Sequence, residues 1–245
     1  MKKFIINILI FFGIVAAVDA AAGKVFGYVQ SSKAKGRTGV EYHVCKALDE
    51  DVLIMGSSRA SHHYVPQVLE DSLGLSCFNG GQDGNGIVMQ YGRWKMISGH
   101  KVPKLIIYDI EPSFDMVEND NERYIDRLKP YANDKAVNSY ISSIFPMERF
   151  KLASQMYRYN YKFLEMLSDC VVSSVIPNGY IPLKGHIRQE VMAVRPGEEA
   201  AAPTLDGVKL GYLEKLIAEV QESGSKIVLV QSPYWKATST VWTTA

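Results

Sequence analysis

The stretch that decides the fold is DVLIMGSSRASHH, residues 51–63. Residues 52–55 form a short continuous apolar run, which reads as a buried strand. The run stops at Gly56-Ser57-Ser58, and a helical pattern is predicted from about residue 62 to 73. A strand that turns sharply into a helix at a serine presents that hydroxyl above the end of a parallel sheet. The helix N-terminus behind it supplies backbone N–H groups that favour developing negative charge. The same residues also describe an ordinary strand-to-helix turn, in which Ser57, Ser58 or Ser61 serves only as the N-cap.

Outward from this turn, strands and helices alternate. Ser76-Cys77-Phe78 reads as a second strand entering the glycine-rich turn Asn79-Gly80-Gly81-Gln82-Asp83-Gly84. A helix is predicted over residues 87–97, with Met89, Trp94 and Ile97 facing inward. Residues 104–110 form the third strand, around the continuous run Leu105-Ile106-Ile107-Tyr108. The last strand, 226–230, follows a helix over 208–223 that carries Leu210, Leu213, Leu216, Ile217 and Val220 at helical spacing. This alternation predicts a parallel α/β sheet with the first strand central, the second on one side, and the third and last on the other.

The segment between the third and last strands is too long for a simple crossover. Residues 111–150 are polar and aromatic and are broken by Pro112, Pro130 and Pro146. Residues 150–170 read as one amphipathic helix carrying Met156, Tyr157, Phe163, Leu164 and Leu167. Loops and a small hairpin are expected over 171–206, with Pro177-Asn178-Gly179 and a glycine- and proline-rich run near 196–203. An insertion of this kind, over 111–207, lies beside the strand ends, where open α/β sheets bind their substrates.

At the N-terminus, Lys2 and Lys3 precede an apolar run over 4–18 broken only by Asn7 and Gly13, followed by Asp19, Ala20, Ala21, Ala22 and Gly23. A charged start, an apolar stretch and a small-residue end describe a bacterial export signal outside the folded domain of residues 24–245. Left uncleaved, the run is a membrane anchor, short against the ~20 residues usually needed. Lys24, Lys33, Lys35 and Arg37 lie beyond it, so charge bias does not choose between signal and anchor. Either way the remainder is expected outside the cytoplasmic membrane: at its periplasmic face if anchored, otherwise periplasmic or secreted.

The chain has 245 residues, 47% hydrophobic and 22% charged, with a net charge of +1, which is ordinary globular composition. No basic stripe interleaved with aromatics points to a nucleic-acid partner. Cys45, Cys77 and Cys170 are odd in number and widely spaced, without a CxxC pair or a Cys/His cluster, so neither a structural zinc nor another metal is expected. Cys77 reads as a small buried side chain, and the three leave room for one disulfide.

The order of these motifs resembles the SGNH (GDSL-type) hydrolases. Gly56-Ser57-Ser58 follows strand one, Asn79 to Gly84 follows strand two, and a long parallel strand three comes next. The first block, GSSRA, is similar to membrane-anchored SGNH-like proteins of Bacteroidetes. The resemblance covers about residues 45–115, and 179–183 and 226–233 more loosely. It implies an α/β fold with a three-layer parallel sheet of the SGNH/flavodoxin-like type. It also implies Ser58 as nucleophile, with the N–H groups of Ser58 and Gly84 binding the oxyanion. Ser57 stands where the family's name-giving Asp would be. The block-three Asn has no counterpart in Asp109-Ile110-Glu111-Pro112-Ser113, which leaves Ser113 as a substitute donor. Losing one oxyanion donor typically costs ~3 kcal/mol of transition-state stabilisation.

The family's Asp-x-x-His pair, which supplies the base after a fifth strand, occurs nowhere in this chain. A hydroxyl without an adjacent base is a poor nucleophile. The low-hydrophobicity end, residues 236–245, leaves two explanations: a truncated chain lacking strand five, or a degenerate member that binds without hydrolysing. His62 and His63, four and five residues after Ser58, read as exposed helix residues or as substrate contacts. Arg59 pairs with a substrate anion or with Asp83 or Glu70, and Asn79 is a further candidate contact. His43, His100 and His186 sit in connecting segments without a partner motif.

Two functions therefore follow. One is an exported esterase or O-acyltransferase for acylated, in particular acetylated, envelope or extracellular glycan, needing no cofactor and working beside a membrane-bound acyltransferase if it transfers. The other is a non-catalytic envelope protein that binds glycan or a partner.

Overall fold

The computed structural model describes residues 1–32, 35–118, 121–183 and 204–233. Lys33, His186, and the expectations over 196–203 and 236–245 lie outside the described residues. In chain order the helices and strands are α1 (Lys2–Ser32), α2 (Gly36–Tyr42), β1 (Val52–Gly56), α3 (Ser58–His63), α4 (Pro66–Leu73), β2 (Cys77–Asn79), α5 (Ile87–Ile97), β3 (Leu105–Asp109) and α6 (Pro112–Asp115). They continue with α7 (Lys135–Ile144), α8 (Glu148–Lys151), α9 (Gln155–Tyr159), α10 (Phe163–Val171), α11 (Gly207–Glu222) and β4 (Lys226–Val230). The chain forms two compact units, Met1–Leu48 with Gly92–Val102 and Arg123–Ile176, and Asp49–Tyr91 with Pro103–Glu122 and Pro177–Ala245. The insertion read over 111–207 is thus divided between them.

The second unit is an α/β fold built on a parallel sheet of order β2-β1-β3-β4, the order expected from the sequence. Val52 pairs with Cys77 on one side and Leu105 on the other, and Leu105 pairs with Lys226. Residues 52–55 of β1 are fully buried, which is why this strand is apolar without alternation. One core cluster joins Val52, Ile54, Ala60, Cys77 and Ile107, with Tyr64, Leu69 and Val230 packed against it. Deleting a buried side chain such as Ile54 costs about 2–5 kcal/mol. β4 lies at a sheet edge, and Val228 and Leu229 remain exposed. Asp206 caps α11 by accepting from the backbone N–H groups of Val208 and Lys209, at 2.8 and 3.2 Å. That helix buries Leu213, Leu216 and Val220, three of the positions its periodicity selected.

The helix expected over 62–73 is two helices. Val65 precedes Pro66, whose ring disfavours helical backbone in the residue before it, and Val65 is extended at φ −91° and ψ 110°. The first piece begins four residues earlier than expected, at Ser58.

The first unit is helical. Here α1 runs without a break through residue 23, where the sequence suggested a boundary, and ends at Ser32. It is long and apolar enough to cross a membrane, as signal sequences and membrane anchors are. The helix expected over 150–170 is broken into α8, α9 and α10. Ser154 stops continuity by capping α9, its hydroxyl accepting from Tyr157 N–H at 3.2 Å. Trp94 and Ile97, on the part of α5 in this unit, are buried as expected. The core of the unit also holds charge: Glu41 and Arg93 are both fully buried and 3.4 Å apart. Burial alone would raise the Glu41 carboxyl, but Arg93 and Lys162 hold it below its ordinary value. The three cysteines are unpaired.

Candidate functional site

All the residues of the candidate site belong to the sheet unit, at the C-terminal ends of its strands. β1 ends at Gly56 with φ +139°, a backbone that L side chains rarely adopt, and a Cβ there would lie 2.7 Å from Asp109 O. The chain can therefore turn at once into α3. Ser57 is the N-cap, extended at φ −82° and ψ −155°, and its Oγ accepts from Arg59 N–H at 3.5 Å. Ser58 is the first helical residue and is half-buried. Ser61, the third cap candidate, is buried inside the helix, where its N–H donates to Ser57 O at 3.2 Å.

The glycine-rich turn after β2 is fastened to this serine turn. Gly80 N–H donates to Ile54 O at 2.8 Å and Gln82 N–H to Gly56 O at 3.1 Å. Gln90 Nε2 reaches the same Gly56 carbonyl at 2.8 Å. Gly81 lies so close to α3 that any Cβ would overlap the Ser61 backbone nitrogen. Gly84 has φ +72° and is half-buried. Asn79, read as a candidate contact, is fully buried and bonded to backbone. Its Nδ2 donates to Ala60 O and Tyr64 O at 2.7 and 2.8 Å, and its Oδ1 accepts from Gly81 N–H at 2.9 Å. It clamps the β2 turn to α3.

His62 is not the exposed helix residue the sequence suggested; its side chain is 9% exposed. Nδ1 lies 2.6 Å from Ile181 O, and Nε2 lies 3.3 Å from Asp83 Oδ1. A carbonyl oxygen can only accept, so Nδ1 carries a proton. Nε2, the nitrogen a base would use, faces a carboxylate. His63 is exposed. Arg59 forms an ion pair with Glu111. Its guanidinium donates to Glu111 Oε2 at 3.2 Å and to Pro233 O at 2.7 Å, joining α3 to the segments after β3 and β4. Ser113 is exposed, and its hydroxyl donates to Glu111 Oε1 at 2.9 Å.

A second polar group at the strand ends was not singled out from sequence. Asp109, the last residue of β3, is fully buried and accepts from Ser232 N–H and Ser232 Oγ, both at 2.9 Å. Tyr64 OH lies 3.3 Å from Ser232 Oγ. Burial pushes the Asp109 carboxyl above its ordinary value, against the bonds from Ser232. Asp115 is also buried, accepting from Tyr108 OH and Glu111 N–H, both at 2.8 Å. Burial pushes Asp115 up to about 7. The one sequence signal for this group was an acidic residue closing an otherwise apolar strand, at Asp109.

The site therefore unites a serine at a helix start, a glycine-rich turn bonded to that start, and a shell of carboxylates. No protein-family model, curated protein or solved structure matches the chain.

Proposed function

We propose that the Ser58 turn is an ester site of the SGNH hydrolase type. The chain would serve as an exported esterase or O-acyltransferase acting on acylated, in particular acetylated, envelope or extracellular glycan. The observation that carries this reading is the position of Ser58. It opens α3 directly after β1, and the β2 turn bearing Gly84 is hydrogen-bonded to the same turn through Gly56 O. In this reading Ser58 Oγ attacks the ester carbonyl carbon, and the carbonyl oxygen becomes an oxyanion received by the N–H groups of Ser58 and Gly84. Collapse of the intermediate breaks the ester C–O bond. The sugar hydroxyl leaves with a proton, and an acyl-Ser58 remains for water or an acceptor hydroxyl.

The proton of Ser58 needs an acceptor. His62 stands four residues on, a spacing that shares a helix face, yet its nitrogens are engaged by Ile181 O and Asp83. Turnover through His62 would require Nε2 to turn away from Asp83. That engagement favours a second reading, in which the site binds an acylated glycan or a protein partner without cleaving it.

Covalent labelling separates the two. The full chain in detergent is treated with an alkyl fluorophosphonate, and the adduct is mapped by peptide mass spectrometry. An ester site is labelled at Ser58, and Ser58→Ala loses the label. An unlabelled Ser58, with acetylated glycan still bound in calorimetry, selects the binding reading. Neither labelling nor binding overturns both.

A further inference from the structure

We propose that α1 is retained in the mature protein as a rod leading from the membrane into the helical unit, and that the apolar groove at its foot is filled by acyl chains of the leaflet from which it emerges. The first half of α1 makes no packing contribution. An 18-residue window of this helix has mean hydropathy 2.4 and is 0% buried, and Phe4, Phe11, Phe12 and Ile14 are exposed. At 1.5 Å per residue, residues 2–18 reach about 25 Å, most of the roughly 30 Å of a bilayer's hydrocarbon core.

The second half is built into the unit. Asp19, the first charge after the apolar run, accepts from Ser154 Oγ at 2.6 Å, Gln155 N–H at 2.7 Å and Met156 N–H at 2.9 Å. It thereby satisfies the N-terminal donors of α9, which have no partner within that helix. Gly23 lies against Gln155 so closely that any Cβ would overlap that side chain. Phe26 packs its ring 5.4 Å from Tyr159 and 5.0 Å from Phe163, and Gln30 is 5% exposed. A cut among the small residues 20–23 would remove Asp19 from α9 and sever this half of the helix from its apolar start. The same contacts belong to a helix that stays whole.

The groove continues from this junction. Phe26, Met156, Tyr159, Asn160, Phe163 and Leu164 line a cavity of about 410 Å³. Leu164 is 77% exposed and Met156 46% exposed at its rim. Met156 N–H is bonded to Asp19, so the rim begins at the level where α1 leaves the hydrocarbon. Phe26 lies seven residues further along the helix, about 10 Å, so the groove runs from the hydrocarbon boundary through a headgroup layer about 5–8 Å thick to its outer edge. An apolar rim held at that depth meets lipid rather than water, and the continuity of the spanning helix with the groove selects lipid as its occupant.

Two measurements on the full chain test this. Intact mass of the protein purified from bacterial membranes should correspond to a chain that keeps residues 1–23; a species beginning between 20 and 24 overturns retention. For the groove, Leu164→Cys in a Cys170→Ser background is labelled with a nitrobenzoxadiazole dye and reconstituted in phosphatidylglycerol/phosphatidylcholine vesicles. Lipids carrying a nitroxide at acyl carbon 5 should quench the dye at least twofold relative to unlabelled lipids. Absence of quenching, or cross-linking of residue 164 to a second copy in its place, overturns the lipid assignment. Asp19→Ala should lower the melting midpoint by about 3 °C, from the loss of a helix cap; an unchanged midpoint shows that α1 is not part of the fold.

Discussion

Replacing Asn79 by alanine should unfasten the serine turn. The amide makes three hydrogen bonds, to Ala60 O at 2.7 Å, Tyr64 O at 2.8 Å and from Gly81 N–H at 2.9 Å. Asn79 is 0% exposed, so water does not replace the lost partners. A satisfied bond contributes only about 1 kcal/mol net, but a buried group left unpaired costs about 1–3 kcal/mol. With Ala60 O and Gly81 N–H buried and Tyr64 O partly so, Asn79→Ala should cost about 3–5 kcal/mol. That is a large part of the 5–15 kcal/mol typical of a domain. Urea unfolding should give the loss directly, and a thermal melt should fall by about 10 °C or more. Asn79→Asp sharpens the test. It keeps the acceptor for Gly81 N–H but sets a carboxylate against two carbonyl oxygens. It should therefore be at least as damaging at neutral pH and partly recovered below about pH 4, where the protonated carboxyl can donate. A loss under about 1 kcal/mol for Asn79→Ala would refute the clamp between α3 and the β2 turn.

Three further outcomes follow from buried charge. Asp115 holds its proton better folded, up to about 7, than at its ordinary 3.8, so its contribution favours the fold at acid pH and is lost as pH rises from about 4 to 7. Asp115→Asn should flatten the slope of urea stability across that window. In the helical unit, Glu41→Gln leaves Arg93 and Lys162 without their buried anion and should cost about 3–5 kcal/mol by thermal melting. Arg59→Ala removes the bonds to Glu111 and Pro233 O and should cost about 1–3 kcal/mol in urea, with Arg59→Lys only partly restoring it.

The sheet was legible because its strands are apolar for a physical reason visible in the residues. β1 and the middle of β3 are buried on both faces, so their runs lack alternation, and β4 coincided with its expected bounds. α5 also matched its expected span, 87–97. Periodicity overran the helices broken by capping and by proline: Pro66 divides α3 from α4, and Ser154 starts a new helix where the apolar pattern continues. The N-terminal run was read from composition, which describes its exposed apolar half and misses that Asp19 and Phe26 belong to a packed unit. At the site, the serine turn was readable as Gly-Ser-Ser, and the structure names Ser57 as cap. The partners of Arg59, His62 and Asp109 were not readable, because Glu111, Pro233, Ile181 and Ser232 come together only through the sheet.

The central claim, that Ser58 and Gly84 form one ester site, is tested most directly by the structure of the full chain after fluorophosphonate treatment. The account predicts phosphorus bonded to Ser58 Oγ, with one phosphonyl oxygen about 2.7–3.1 Å from both the Ser58 and Gly84 backbone nitrogens. A phosphonyl group on another residue, or an oxygen on Ser58 turned away from the Gly84 N–H, would contradict it.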